Sequence, residues 1–148
     1  MAQATTLSPQ ALTKIAQGLI LAYNDRDWNR VKASITADFT YDEVATARKV
    51  TGADQTIELL KGWAQAFPDS KGTIQGSHVV NDGTVVLEVT WKGTHKGPLQ
   101  TPTGAIAPTG KPIEVRACAI VEIAGERARS QRHYSDMATL LRQIGVLS

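Results

Sequence analysis

The chain has 148 residues, of which 42% are hydrophobic and 20% are charged, and its formal net charge is +2. This length and composition predict a single globular domain over residues 1–148, with a sizeable core. The small net charge argues against nucleic acid or a membrane surface as partner, and no apolar run approaches the ~18 residues of a membrane span.

The cysteine content predicts a reducing compartment. The one cysteine, Cys118, excludes an internal disulfide. Its place in an apolar strand pattern favours a buried, inert thiol over a nucleophile. The N-terminus lacks a basic segment followed by an apolar one, so no signal peptide is predicted and we expect a cytoplasmic protein.

Three helices are predicted in the first half of the chain. Ser8 as N-cap and Pro9 at the first helical position start a helix whose apolar face ends at Tyr23. A turn over residues 24–27 leads into a short second helix, marked by Trp28, Val31 and Ile35. The third helix runs over residues 53–67, with Trp63 on its apolar side.

Strand patterns dominate the rest of the chain. A short strand over residues 39–44 presents either Tyr41 and Glu43 or Thr40 and Asp42 inward. Longer antiparallel strands are predicted over residues 72–80, 84–95 and 113–123, the first two joined by an Asn81-Asp82-Gly83 hairpin turn. Core-facing positions are predicted at Val85, Leu87, Val89, Trp91 and His95, and at Val115, Ala117, Ala119 and Val121. Residues 96–111, rich in proline and glycine, are predicted to form a long ordered loop or lid.

The last segment, residues 126–148, joins a strand to a helix at Asp136. The alternation before Asp136 predicts a strand that has Arg132 and Tyr134 on the same face as Asp136, with His133 pointing away. A short helix follows, with Gly145 at its C-terminal end. Asp136 is therefore either the N-cap of this helix, or a carboxylate with a chemical role, or both.

The order of these elements predicts an α+β fold: three helices, a mostly antiparallel sheet and a short C-terminal helix. A strongly curved sheet with the helices on its concave side leaves a cone-shaped cavity at one end. Tyr23 and Trp63 either line this cavity or belong to an ordinary apolar core. His95, at a strand end near Trp91, either contacts a ligand or bonds to its neighbours. The three histidines have no carboxylate at ligand spacing, so no metal site is predicted.

Several segments, in this order and spacing, resemble the SnoaL-like polyketide or ester cyclases of the nuclear transport factor two-like superfamily. They are YDEVATARKVTG, GWAQAFPDSKGT, LEVTWKGTHKGPL, PTGKPIEV and HYSDMATLLRQIG. The resemblance spans about residues 12–146 and implies a cone-shaped α+β barrel. It implies an intramolecular aldol cyclisation that needs no metal and no cofactor.

By motif, the resemblance places the general acid/base role on Asp136. The family often has an aromatic residue four positions earlier, where this chain has Arg132. Asp42 lies near the position where isomerases of the superfamily carry their base, although an exposed strand residue is the alternative. The epoxide hydrolase pattern of one Arg and two Asp is not visible, because the third long strand carries no Arg-x-Asp.

The resulting hypothesis is a cofactor-free enzyme acting on an apolar, carbonyl-bearing or polyketide-like molecule. Asp136 and His95 are its candidate catalytic residues. The candidate substrate contacts are Arg132, Tyr134, Tyr23, Trp63, Trp91 and Asp42. The competing hypothesis is a non-catalytic ligand-binding or dimerisation module of the same fold. The outer face of the sheet mixes apolar and charged residues. In this superfamily a second copy of the chain usually covers such a face, so a homodimer is expected.

Overall fold

The computed structural model describes residues 7–81 and 83–147, and within these ranges it contains four α-helices and eight strands. The helices are α1 (Pro9–Asn24), α2 (Trp28–Ser34), α3 (Ala53–Ala66) and α4 (Met137–Gln143). The strands are β1 (Ile35–Glu43), β2 (Arg48–Thr51), β3 (Lys71–Asn81), β4 (Thr84–Thr94), β5 (Leu99–Thr101), β6 (Gly104–Ile106), β7 (Pro112–Ala124) and β8 (Arg127–Ser135). The signal-peptide prediction rests on residues 1–8 and the predicted hairpin turn on residues 81–83; of these, residues 1–6 and Asp82 lie outside the described residues.

Local capping chemistry explains the helix boundaries. The Ser8 hydroxyl accepts a hydrogen bond from the Ala11 N–H at 3.1 Å, and Pro9 is the first residue of α1, as predicted. Asp27 caps α2 in the same way. Ile35, predicted as helical, already has an extended backbone and begins β1. None of the helices in the described part of the chain is long and apolar enough to cross a membrane.

Six strands form one curved sheet in the order β2-β1-β8-β7-β4-β3. All neighbouring pairs are antiparallel except β1 and β8, which run parallel. The predicted α+β class is confirmed, with the N-terminal helices packed on a mostly antiparallel sheet. Because β1 pairs with β8, residues near position 40 lie beside residues near position 130, a contact that no local pattern predicts.

The segment between β4 and β7 is not a simple loop, because it contains the small β5–β6 hairpin. Its first residues dock on the end of α3, where the N–H groups of Lys96 and Gly97 donate to the Ala66 carbonyl at 3.0 and 3.1 Å. A Cβ atom at Gly97 would collide with the main-chain carbonyl of Gln65, so this close approach requires glycine. Leu99 then packs into a small apolar cluster that includes Phe67.

The main core lies between α1 and the concave face of the sheet. Five of the predicted inward residues of β4 and β7 are buried there: Val85, Leu87, Val89, Ala119 and Val121. Val115 and Ala117 are buried as well, Val115 in the second cluster with Phe67. Cys118 lies between two of these inward positions and is only half-buried on the opposite face, so the predicted buried thiol is wrong. Because side chains alternate between the two faces of a strand, Cys118 must point to the face opposite Ala117 and Ala119.

A bulge in β8 decides which side chains reach the inside of the sheet. Ala128 pairs with Ile123, but Ser130 pairs with the preceding residue of β7, Glu122, so Arg129 is one residue extra on β8. This insertion reverses the alternation beyond it, and Gln131 and His133 are buried where a regular strand would bury their neighbours. The predicted facing of Arg132, Tyr134 and His133 is therefore wrong.

Candidate active site

An apolar cavity lies between the concave sheet face and the helices. It has about 910 Å³ of atom-free space, including its opening to solvent. Its walls are mostly apolar, as is usual for a site that binds a small molecule. Its polar or aromatic lining residues are Tyr23, Phe39, Tyr41, Glu43, Thr56, Trp63, Phe67, Ser70, Trp91, Gln131, His133 and Ser135.

His133 presents an imidazole to this cavity from β8. It is 9% exposed, and its Nε2 atom has no hydrogen-bond partner among the described residues. Its ring stacks near Tyr41, with centroids 6.4 Å apart and an interplanar angle of 23°. Burial lowers the pKa of His133, and the negative charge of Glu43 opposes this shift. The imidazole is therefore neutral near pH 7, which is the form that accepts a proton.

Glu43 is a buried carboxylate held by three side chains. It lies next to His133 because β1 and β8 pair in parallel at these two residues. Its Oε1 atom accepts from Arg48, with Nη2 at 2.7 Å and Nε at 3.1 Å, and from the Thr46 hydroxyl. Its Oε2 atom accepts from the indole N–H of Trp63 at 2.7 Å. With both oxygens engaged, Glu43 is fixed as a negative charge beside the imidazole and is less free to move protons itself.

Two tyrosines supply further hydroxyl groups to the lining. Burial, followed by the charge of Glu43, raises the pKa of Tyr41 well above its usual value, so the phenol stays neutral. The Tyr23 hydroxyl lies 2.7 Å from Ser70 Oγ, which also accepts from Arg26 at 3.2 Å. Burial raises the pKa of Tyr23 as well, with the Ser70 hydrogen bond and Arg26 opposing the shift. Both phenols thus act as hydrogen-bonding groups and not as bases at neutral pH.

The two tryptophans of the lining differ in how their indole N–H groups are used. Trp63 donates to Glu43, as described above. Trp91 Nε1 is buried and has no partner among the described groups. A buried donor left without an acceptor costs about 1–3 kcal/mol. Of the two alternatives left open for Tyr23 and Trp63, cavity lining or ordinary core, their positions fit the first, and the candidate contact Trp91 also lies in the wall.

Asp136 does not line the cavity, although its neighbours Ser135 and Met137 do. It is exposed and caps α4, accepting from the Thr139 N–H at 3.1 Å and from the Thr139 hydroxyl at 2.6 Å. These hydrogen bonds lower the pKa of Asp136. The predicted cap is confirmed. Its predicted facing into the cavity is wrong, and an acid/base role for it stays a hypothesis.

His95 is fully buried but does not line the cavity. Its Nδ1 atom accepts from the Thr109 N–H at 3.2 Å and lies 3.0 Å from the Thr109 hydroxyl. Its ring packs on Phe67, with centroids 5.3 Å apart. Burial lowers the pKa of His95, opposed by a hydrogen bond involving the Gly97 backbone. These contacts fit the alternative in which His95 bonds to its neighbours and ties the 96–111 segment to the fold.

The remaining predicted substrate contacts lie on the other face of the sheet. Asp42 alternates with the inward Tyr41 and Glu43 and pairs in register with Arg132. Tyr134 is 42% exposed. None of Asp42, Arg132 and Tyr134 borders the cavity. Asp42 points away from the cavity because strand residues alternate between the two faces. Arg132 and Tyr134 point away from it because of the bulge in β8.

Sequence reasoning missed Glu43, His133 and Gln131. For Glu43 a weak signal existed, since Phe39 and Tyr41 alternate with it as apolar residues typical of a core face. His133 and Gln131 had no such signal, because the bulge that turns them inward follows from pairing with β7. In residues 7–81 and 83–147, no group of three or more His, Cys, Asp or Glu side chains is arranged to hold a metal ion.

Comparison with known proteins places this geometry in context. The family model of the SnoaL-like polyketide cyclases matches residues 13–144. No curated protein sequence matches the chain. Among solved structures, a protein from Jannaschia sp. CCS1 named as a SnoaL-like polyketide cyclase has a TM-score of 0.83 at 17% identity, over 96% of this chain and 98% of its own.

Two further structures show how varied the proteins with this fold are. One from Catenulispora acidiphila DSM 44928, with a ketosteroid isomerase-like fold, has a TM-score of 0.75 at 22% identity, and 96% of each chain is covered. An LEH-like epoxide hydrolase from M. tuberculosis has a TM-score of 0.69 at 16% identity, over 91% of this chain and 90% of its own. At such identities the likeness shows the fold, and the chemistry must be argued from the site.

Proposed function

Because the chain belongs to the SnoaL-like polyketide cyclase family over residues 13–144, we propose that it is an acid/base enzyme. Its substrate is a small, apolar, carbonyl-bearing molecule. The reaction is an intramolecular aldol cyclisation or a related isomerisation. The observation that carries the proposal is a buried neutral imidazole, His133, facing an apolar cavity beside the fixed carboxylate of Glu43.

The proposed reaction needs only proton transfers. His133 takes a proton from the carbon next to a carbonyl, and the electrons of that C–H bond form an enolate. The enolate carbon bonds to a second carbonyl carbon of the same molecule, and the new alkoxide takes the proton back from the imidazolium. No atom is lost and no oxidant or cofactor takes part. Glu43 favours the transient imidazolium, because a negative charge beside it stabilises the positive form.

His133 fits this role better than Asp136. The carboxylate of Asp136 lies outside the cavity wall, with both oxygens hydrogen-bonded to Thr139. A general base must come within hydrogen-bond reach of the proton that it removes. Asp136 remains the residue that the family motif indicates, so the experiment below tests both residues side by side.

The second candidate function is a ligand-binding or dimerisation module without catalysis. The observation that favours it is that both carboxylates near the site are already engaged in hydrogen bonds. Asp136 is engaged by its helix cap, and Glu43 by Arg48, Thr46 and Trp63. Under this alternative His133 is a polar contact for a ligand and nothing more.

Exchange of hydrogen for deuterium next to a carbonyl tests proton abstraction without knowledge of the natural substrate. Small ketones and diketones are incubated with the protein in D₂O, and the loss of the proton signal is followed by NMR. The parent protein, His133→Gln and Asp136→Asn are compared at equal concentration. We expect His133→Gln to lose about 10²–10⁴-fold in the exchange rate, the usual contribution of a general base. Asp136→Asn should exchange like the parent, since Asn caps a helix about as well as Asp.

Each result assigns a function. Loss of exchange in Asp136→Asn, with exchange retained in His133→Gln, would move the base to Asp136. Exchange no faster than in buffer, from a folded parent protein that binds the ketones, would favour the binding module. Thermal melting of each variant excludes loss of fold as the cause.

We also propose that the protein is a cytoplasmic homodimer, assembled through the outer face of the sheet. This face carries apolar and charged residues together: Val86, Glu88, Thr90, Arg116, Cys118 and Ile120. The chain's one cysteine, which allows no internal disulfide, suits a reducing compartment. Light scattering coupled to size exclusion should give twice the chain mass of 15.9 kDa; a monomer mass at micromolar concentration would refute the dimer.

A further inference from the structure

The indole N–H of Trp91 is a buried hydrogen-bond donor that lacks an acceptor. Trp91 forms part of the cavity wall, and its Nε1 atom has no acceptor among the described groups. An indole nitrogen can donate a hydrogen bond but cannot accept one. A ligand atom that pairs with it must therefore be an acceptor, and in an otherwise apolar molecule this is most simply an oxygen.

The position of this donor is fixed by the rings around it. Tyr23 meets the Trp91 ring edge-on, with centroids 5.2 Å apart and an interplanar angle of 90°. His133 meets it with centroids 6.2 Å apart. On the neighbouring strand β3 the paired residue is Gly72, where a Cβ atom would come within 3.0 Å of the indole ring. The donor thus loses little conformational freedom when a ligand binds.

Trp63 provides the contrast within the same cavity. Its N–H already donates to Glu43 at 2.7 Å, so it has no need of a ligand acceptor. Of these two indoles, Trp91 is the one left for a ligand. Its ring lies close enough to His133 for one small molecule to contact both.

We propose that the Trp91 N–H binds the carbonyl oxygen of the substrate. It thereby selects small ketones over hydrocarbons of the same shape. The claim that the bound ketone is a substrate rests on the proposed function. The claim that the cavity distinguishes an oxygen from a carbon at this point rests on Trp91 alone.

A pair of ligands with matched shape tests the inference through binding only. Acetophenone carries a C=O group where α-methylstyrene carries C=CH₂, and the two molecules otherwise have the same shape. Each is titrated into ¹⁵N-labelled protein, and the indole N–H signals of the three tryptophans are followed by NMR. The Trp91 signal is assigned as the one missing from Trp91→Phe. We expect acetophenone to bind about five- to tenfold more tightly, the effect of one hydrogen bond. It should also move the Trp91 proton downfield by more than α-methylstyrene does.

Trp91→Phe should reduce this preference for the ketone, and Trp28→Phe, at a tryptophan that does not border the cavity, is the control that should retain it. Equal binding of both ligands by the parent would overturn the inference. So would an unchanged ketone preference in Trp91→Phe, or a Trp91 signal that responds equally to the two ligands. If Trp91→Phe does not fold, Trp28→Phe and Trp63→Phe assign the Trp91 signal by elimination, and its shift in the parent decides the matter. A protein that prefers the ketone but catalyses no exchange would retain this inference and lose the proposed enzyme activity.

Discussion

Replacing Glu43 with Gln removes a buried charge and preserves the shape of the side chain. Glu43 is 3% exposed, while its partner Arg48 is 40% exposed. In the parent, one carboxylate oxygen accepts from Arg48 and the other from Trp63. An amide has only one acceptor oxygen, so in either orientation its NH₂ group faces one of these donors.

The exposure of Arg48 sets the size of the effect on stability. Removing one partner of a fully buried ion pair costs about 3–5 kcal/mol, because the other charge is left in the interior. Arg48 can turn its guanidinium to water, so that penalty does not apply in full. The remaining cost is one buried donor without an acceptor, about 1–3 kcal/mol. For a chain of this size, each kcal/mol lowers Tm by about 2–4 °C.

The same substitution should lower the pKa of His133. In the parent, burial lowers that pKa and the Glu43 charge raises it, so removing the charge leaves burial unopposed. Side-chain ¹⁵N NMR follows the titration of the imidazole directly. If His133 is the base, the pH below which ketone exchange slows should move to lower pH in Glu43→Gln.

Glu88→Gln is the matched control. Glu88 pairs with His78 at 3.1 Å, but both side chains are more than half exposed on the sheet surface. This substitution should change the free energy of unfolding by less than about 0.5 kcal/mol and leave the His133 titration unchanged. An unchanged or raised His133 pKa in a folded Glu43→Gln protein would refute the electrostatic argument.

Three further experiments give independent checks. Asp136→Asn should melt like the parent and Asp136→Ala at a lower temperature, because alanine cannot accept the hydrogen bonds that cap α4; equal melting of both variants would argue against the cap. Burial lowers the pKa of His95 and of His133, so the unfolded chain binds protons more readily. Keeping these two histidines neutral therefore contributes fully to the free energy of unfolding above about pH 6.5, and this contribution should be lost as the pH falls through the folded pKa values. Unfolding in urea measures it, and a stability that rose on acidification would contradict the shifts. Gly97→Ala should destabilise the protein by more than about 1 kcal/mol, because its Cβ would collide with a main-chain carbonyl of α3. The control Gly62→Ala, at an uncrowded position inside α3, should stabilise it by about 0.5–1 kcal/mol, and denaturant unfolding of both variants decides between these signs.

Local patterns were sufficient for most of the secondary structure. Ser8-Pro9 and Asp136 mark helix starts because their side chains or ring geometry act on the nearest backbone groups. The alternation in β4 and β7 assigned their inward residues correctly, because both strands pair in continuous register with each other. The strand β2 and the β5–β6 hairpin were missed, since segments of four and three residues are too short to show a period.

The α+β class and the helix caps could be predicted from local patterns, which leave Tyr23 and Trp63 as either cavity lining or core. Which polar groups face the inside depends on strand pairing between distant parts of the chain. Parallel pairing of β1 with β8 brings Glu43 beside His133, although they are far apart in the chain. The bulge at Arg129 then turns His133 inward and Arg132 outward. Side chains on a strand alternate with a period of two, so one extra residue, set by pairing with a distant strand, exchanges the two faces.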